Sequence, residues 1–275
     1  MPSPGRILDG SIARRSIAAD PDLDQDARMR TRLAARFSPC LLLLACHGGP
    51  TPTPAPATAA STPPPAETTS VKPGINQDFL DPALDVAKYE QRFEGESREV
   101  FAHRARIAAL LQLQPGMAVA DVGAGTGLYT LLFAPKVGTE GRVYGVEIAP
   151  KFVEHITKVA AERQLPQVVA QLCSERSIEL PEASVDLVFV CDTYHHFEYP
   201  QATLASIHRA LRSGGELVIL DFIREPGVSR EWILEHVRAG EAVVTQEVTA
   251  AGFTLVRREA TPFLRENYVL RFVKS

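Results

Sequence analysis

The 275-residue chain is poor in most features that mark a specialised class of protein. Cysteine is scarce: Cys40, Cys46, Cys173 and Cys191 are the four present, and they fit neither a zinc-ligand spacing nor a disulfide framework. No run of about 18 apolar residues occurs, so no segment reads as a transmembrane helix. There is no excess of positive charge. With 29 Lys+Arg against 33 Asp+Glu the net charge is −4, which gives no electrostatic footprint for nucleic acid. No internal repeat is visible. What remains is an ordinary globular composition, 45% hydrophobic and 23% charged, over a length suited to one large domain or two small ones.

Three zones differ in composition. Residues 1–46 read as a leader. Its first 28 residues are polar and mixed in charge, and Met29 reads as the true start because a coherent export signal follows. Arg30, Arg32 and Arg36 precede the apolar stretch from Phe37 to Ala45. Leu43-Leu44-Ala45-Cys46 resembles the bacterial lipobox, where cleavage leaves a lipidated cysteine as the new N-terminus. The competing reading is a chance leucine-rich run. Arg14-Arg15 does not serve as a twin-arginine signal, because acidic residues from Asp20 to Asp26 stand where an apolar region is needed. Residues 47–76 are rich in Pro, Thr and Ala, and eight of the chain's 21 prolines fall between Pro50 and Pro73. Such a segment cannot offset its ordering entropy by burial and should be an extended tether. A lipidated Cys46 would attach the chain to a membrane at the cell envelope, facing the periplasm or the surface. Without the lipobox the expectation is cytoplasmic.

Residues 77–275 read as the folded domain. Helices are predicted over 81–93, 97–113, 127–133 (ended or kinked by Pro135), 150–163, 201–211, 229–237 and 241–251. Strands are predicted over 118–122, 142–146, 168–173, 185–191, 216–222, 253–258 and 267–273. Pro115-Gly116 and Ser213-Gly214-Gly215 read as turns. Apolar strands alternating with helices predict an α/β fold, a mostly parallel sheet covered on both faces.

The decisive stretch runs from Val119 to Gly127. A buried strand enters a turn carrying Gly123, Gly125 and Gly127, and a helix starts at once. In open α/β sheets the ligand crevice lies at the carboxyl ends of the strands. The spacing is G-x-G-x-G, so the third glycine is not where a dinucleotide-binding turn needs it. Asp121, just before the first glycine, would oppose a pyrophosphate but favour a cationic ligand carrying an ammonium and a sulfonium. Glu147 ends the next strand, where an acid accepts hydrogen bonds from ribose hydroxyls. Taken alone, it could equally be an exposed loop carboxylate.

DVGAGTG, VYGVE, SVDLVFVCDTYHHF and LRSGGELVILDF together resemble the successive motifs of class I S-adenosylmethionine-dependent methyltransferases, over roughly residues 97–258. The resemblance implies a Rossmann-like, seven-stranded sheet of order 3-2-1-4-5-7-6, with the last strand antiparallel. It implies S-adenosyl-L-methionine as cofactor. Gly123, Gly125 and Gly127 would line its methionine moiety, Asp121 would reach its amino group through water, and Glu147 would bind the ribose. Ala124, Ile148, Cys191 and Asp192 join that binding set. Glu175 would flank adenine, although this chain reads Cys-Ser-Glu-Arg where the family often has Gly-Asp-Ala. The implied strand order puts two strands between Cys173 and Cys191, roughly 14 Å at about 4.8 Å per strand. That is beyond disulfide reach, so free thiols are expected, and an arsenic-type methyltransferase is disfavoured.

The implied activity is methyl transfer to a small molecule. The alternative is an inactive cofactor-binding or scaffold lipoprotein, prompted by a conflict: the cofactor is made in the cytosol, whereas a lipobox exports the domain. On the substrate side, the segment from Cys191 to Phe197 resembles that of quinone-biosynthesis-type enzymes, and the family places it under the methyl group. Asp192 could orient substrate or cofactor, and Tyr194, His195 or His196 could take a proton. These residues could instead cap and pack the following helix. Asp192 with His195 and His196 could be imagined as a metal site, but adjacent histidines rarely converge on one ion, so no metal is expected. Trp232 to Glu241 is a second candidate patch, with His236 and Arg238 bent toward the pocket at Gly240. It could also be a solvated amphipathic helix.

Overall fold

The computed structural model describes residues 68–95 and 98–275. The leader, Met29, Cys40, Cys46 and residues 47–67 of the proline-rich zone lie outside the described residues. Five strands run through the chain as parallel neighbours: β1 (Ala118–Val122), β2 (Arg142–Glu147), β3 (Val168–Leu172), β4 (Val185–Cys191) and β5 (Leu211–Phe222). The sheet is completed by β6 (Phe253–Arg258) and β7 (Asn267–Lys274), in the order β3-β2-β1-β4-β5-β7-β6. β7 is antiparallel to both of its neighbours. This is the fold and strand order expected from the sequence.

Period-two alternation sends side chains of each central strand to opposite faces. In β4, Val188 and Val190 join one buried cluster, while Leu187 and Phe189 join the other. In β5, Leu217 and Ile219 separate likewise from Val218 and Leu220. The first cluster is closed by α6 (Pro200–Ala210) and α8 (Glu241–Ala250), through Leu204, Ile207, Val244 and Val248. The second is closed by α3 (Arg104–Leu110) and α4 (Leu128–Val137), through Ile107, Phe133 and Val137. Helix α5 (Pro150–Glu162) starts on a proline, whose missing N–H costs nothing in a first turn, and buries Phe152 and Ile156.

Four local expectations are corrected. Helix α1 is Val86–Phe93, shorter than 81–93, because the Asp85 side chain accepts from the N–H groups of Ala87 and Lys88 and so fixes the start there. The helix expected over 97–113 is two pieces, α2 (Glu99–Ala102) and α3, broken at His103, whose ring packs against Phe263. Pro135 does not end α4: its missing N–H leaves the Leu131 carbonyl without its i+4 donor, yet the helix runs on to Val137 before Gly138 caps it. Residues 213–215 lie within the bounds of β5 as a bulge, where the pairing jumps from Val185–Leu211 to Leu187–Glu216.

The tether expected to reach residue 76 stops earlier. The Ser70 hydroxyl and the Gly74 N–H donate to the Glu198 carboxylate, and the Val71 N–H donates to the Glu198 carbonyl. Asn76 is buried against the turn that precedes α6.

On β7, Arg271 is buried and donates to Glu259 at 2.8 Å, to Glu216, and to the Leu110 carbonyl at the end of α3 at 2.7 Å. Arg271→Leu is expected to cost about 2–4 kcal/mol, because it leaves the Glu259 carboxylate with only the half-exposed Arg257 and leaves a helix carbonyl unmet. Urea denaturation of Arg271→Leu, Glu259→Leu and the double variant checks this. The double variant should regain part of the loss; simple additivity would show that the pair is not coupled.

Candidate functional site

Two adjoining cavities open at the carboxyl ends of β1, β2 and β4, where the strand order reverses. The first, of about 180 Å³, is walled by the glycine turn, by the ends of β2 and β4 and by the residues after β3. Phe79, Phe93 and Phe152 cover it as part of an aromatic cluster with Tyr89, with ring centroids 5.4–6.3 Å apart. The second, of about 380 Å³, reaches His195, Phe222, Trp232 and His236. Phe79, Phe93, Arg98, Val100, Asp192 and His196 line both.

The turn after β1 is shaped around one carboxylate. Glu147 is buried; its Oε2 accepts from the Gly125 N–H at 2.8 Å, and its Oε1 accepts from Ile148 and Ala149 at 2.7 and 2.9 Å. Burial pushes its pKa up, and the three backbone donors oppose the rise. It is therefore not an exposed loop acid. Gly123 sits at φ +74° with its flank against Thr193, where any Cβ would overlap that side chain. Gly123, Ala124, Gly125, Ile148, Glu175 and Cys191 all line the first cavity. Gly127 does not. It precedes α4 with its Cα against Ile156, where a Cβ would come within 2.9 Å, so its place is in helix packing.

Asp121 is buried and lines the same cavity, with Oδ2 accepting from the Thr130 hydroxyl at 2.7 Å. Burial lifts its pKa to about 7 against that hydrogen bond. Asp192 stands at φ +48°, a left-handed conformation costly for any residue with a side chain. It is held there by Arg98 at 2.6 Å and by the Asn267 amide at 2.6 Å. Burial raises its pKa to about 6, with Arg98 restraining the rise and Asp221 adding to it.

The other candidates divide. Tyr194, His195 and His196 form a 3-10 turn after β4. Tyr194 turns into the core, where its hydroxyl donates to Glu247 at 2.7 Å and its ring lies under Arg238; it borders neither cavity. It is a packing residue, not a proton acceptor for a bound molecule. His195 faces the second cavity with Nδ1 against Asp221 at 2.8 Å. His196 faces both cavities, with Nδ1 against Asn76 Oδ1 at 3.2 Å. Burial, then the neighbouring imidazoles, push the His196 pKa down to about 2. From the second patch, His236 at the end of α7 (Glu231–His236) reaches the site, whereas Arg238 is drawn away into a bidentate pair with Glu247. The rings of His195 and His196 lie 4.5 Å apart.

Several site residues carry no signal in the sequence. Arg98 and Asn267 meet Asp192 from 94 and 75 residues away. Asn76, Phe79 and Phe93 belong to the segment preceding the sheet. Cys173 and Cys191 are free thiols, as the strand order requires. Burial is the main reason that the Cys173 thiol rises to about 12 and that Cys191 also lies well above its usual range.

Residues 120–219 match the family model described as a methyltransferase domain. The chain is 32% identical over 148 residues to the nocamycin O-methyltransferase of Saccharothrix syringae, covering 53% of this chain and 52% of that protein. It is 31% identical over 124 residues to the ubiquinone/menaquinone biosynthesis C-methyltransferase UbiE of Burkholderia orbicola (strain MC0-3), covering 44% of this chain and 49% of the relative. The chain thus spans about half the length of these curated relatives. A solved S-adenosylmethionine-dependent methyltransferase from Aquifex aeolicus superposes with a TM-score of 0.61 at 23% identity, over 70% of this chain and 100% of that one.

Arg98→Ala is expected to move the Asp192 pKa upward from about 6, because the guanidinium is what restrains it. Carbon-detected NMR titration of the carboxyl group reads the shift. An unchanged or lower value would remove Arg98 from the account of this site.

Proposed function

Because the chain carries a class I S-adenosylmethionine-dependent methyltransferase domain, we propose that it transfers a methyl group from S-adenosylmethionine to a small molecule. The observation that carries this reading is one cavity lined by both Asp121 and Glu147, continuous along Asp192 and His196 with a second. The donor set fits the cofactor. Buried carboxylates suit a ligand that brings an ammonium, a sulfonium and hydroxyl groups, and they repel a pyrophosphate.

Asp121 would pair with the ammonium. Glu147 has three of roughly four lone-pair directions filled by backbone N–H groups, leaving capacity for a ribose hydroxyl. Gly123 and Gly125 would line the methionine moiety, and Ala124 and Ile148 would pack along the nucleoside, with Glu175 at the adenine end. Gly127 would support this site only indirectly, through the seating of α4. The cofactor supplies a methyl carbon already activated by sulfonium. The chain's own task is then to align an acceptor and exclude water. Phe79 and Phe93 cover both cavities, and Arg98 with Asn267 fixes Asp192 at their junction. The nucleophile's proton has two imidazoles to meet beside the second cavity, His195 and His196.

We also propose that the chain is exported and lipidated at Cys46, which places it at the cell envelope. The arginines before Phe37, the apolar run ending in Leu-Leu-Ala and the proline-rich tether support this reading. Several acyl chains give stable attachment, so the protein should stay with membranes through a high-salt wash. Cys46→Ser should release it or leave the precursor, and Cys40→Ser should do neither. A soluble cytosolic protein beginning at Met1 would sink the export reading and leave the catalytic one intact.

For the cofactor site, calorimetry of the full chain should show S-adenosylmethionine binding more tightly than NAD. The affinity should rise with pH up to about 7 and fall again above about 8, where the ligand's own α-ammonium loses its proton. Asp121 is protonated below that value in the free protein, and the ammonium pairs with its charged form, so affinity falls by up to about tenfold per pH unit below it. Asp121→Asn should bind weakly and lose this dependence. Tighter NAD binding, or an affinity that falls as the pH is raised toward 7, would overturn the assignment. Label from methyl-labelled S-adenosylmethionine appearing in an extracted metabolite then tests the transfer itself.

A further inference from the structure

Three histidines from two distant segments meet at the inner end of the second cavity. His195 and His196 come from the turn after β4, and His236 from the end of α7. Their ring centroids are 4.5, 5.1 and 5.2 Å apart, and each ring offers a nitrogen within 4.8 Å of the other two. The Nε2 atoms of His196 and His236 are 3.3 Å apart. Tetrahedral zinc, with Zn–N bonds of about 2.0–2.1 Å, separates its ligand nitrogens by about 3.3 Å.

The groups behind the rings set which nitrogen faces inward. Asp221 is held by the N–H groups of His195 and Phe222, and its Oδ1 lies 2.8 Å from His195 Nδ1. A carboxylate can only accept, so Nδ1 carries the proton and Nε2 keeps the lone pair. Asn76 donates its amide to the His196 carbonyl, which turns Oδ1 toward His196 Nδ1. The same logic leaves His196 Nε2 as a lone pair. Outward hydrogen bonds of this kind, to a carboxylate or a carbonyl oxygen, orient metal-binding histidines. A hydrogen bond between His196 and His236 explains the 3.3 Å separation, but not why His195 is brought to the same point.

We propose that His195, His196 and His236 bind one divalent transition-metal ion of the zinc class, with an open coordination position toward the second cavity. An all-imidazole set suits zinc, copper, iron or nickel and not magnesium or calcium, which require oxygen ligands. Three protein ligands with a cavity on the fourth side is the arrangement of a reactive rather than a structural zinc. Asp192 is not a ligand, since Arg98 and Asn267 hold its two oxygens. Resting on the methyltransferase reading, the open position takes a hydroxyl or enol oxygen of the methyl acceptor. The nearby ion lowers the pKa of that oxygen, whose proton passes to water in the cavity rather than to an imidazole; the oxygen then forms its bond to the methyl carbon as the carbon–sulfur bond breaks and the pair leaves on sulfur. The cations facing the site are Lys72, whose Nζ donates to the Glu235 and His236 carbonyls, and Arg92, Arg98 and Arg230 along the second cavity; the Asp221 carboxylate behind His195 acts in the opposite sense.

The test is metal binding by the full chain after chelator treatment. Calorimetry with Zn²⁺ should give one equivalent per chain. Co²⁺ in its place should give the intense visible absorption of a four-coordinate ion, and acetohydroxamate should shift those bands by entering the open position. His236→Ala should weaken Zn²⁺ binding at least 100-fold, and Asn76→Ala about tenfold or more. His208→Ala, on α6 against Phe253, should change nothing. Far-ultraviolet circular dichroism and thermal unfolding, measured on each variant, show whether the fold persists. Absence of stoichiometric Zn²⁺ binding overturns the proposal, as does wild-type affinity in both His236→Ala and His196→Ala. Metal binding without methyl transfer to any acceptor refutes the proposed function and leaves the site standing; methyl transfer without metal binding does the reverse.

Discussion

The carboxylate of Glu147 is the fixed point of the site. It sits at the end of β2 yet takes the Gly125 N–H from the turn after β1, and the next two N–H groups of its own chain. An unmet buried carboxylate is costly, so these bonds lock the turn to the neighbouring strand. That lock sets where α4 and α5 begin, and hence the shape of the crevice between them. The rings of Phe79, Phe93 and Phe152 line the crevice with apolar surface, beside which polar contacts are stronger than in bulk water.

Acids dominate the inner walls. Asp121, Glu147 and Asp192 are all buried, and burial raises the pKa of each. Only Asp192 has a direct cationic partner, Arg98, and Asp192 is also the one held in a strained backbone conformation. The arrangement gathers acidic groups that a cationic ligand can relieve, with the Arg98 guanidinium where the two cavities meet.

The sheet and much of the lining of the first cavity were legible because their signals are local. Strand, glycine turn and Asp121 lie within a few residues of one another, and period-two burial marks the strands directly. The lining of the second cavity was not, because its geometry is made by contacts between distant segments. Nothing near Arg98 announces Asp192, and nothing in the pair His195-His196 announces His236. Tyr194 shows the opposite error. In a run of three polar rings it looks as functional as its neighbours, but a 3-10 turn must send one side chain inward, and that one finds Glu247 in the core. Pro135 and His103 misled for a related reason: a helix end depends on which carbonyls remain to be satisfied and on tertiary neighbours, not on residue type alone.

The segment from Ser70 to Asn76 is fastened to Glu198 and ends on the His196 backbone and ring. The stretch that joins the proline-rich zone to the domain therefore also buttresses the site. Trimming before Ser70 removes only what precedes this buckle. Trimming after Asn76 takes away the amide that orients His196, so the smallest piece that keeps the site whole begins several residues ahead of its first helix.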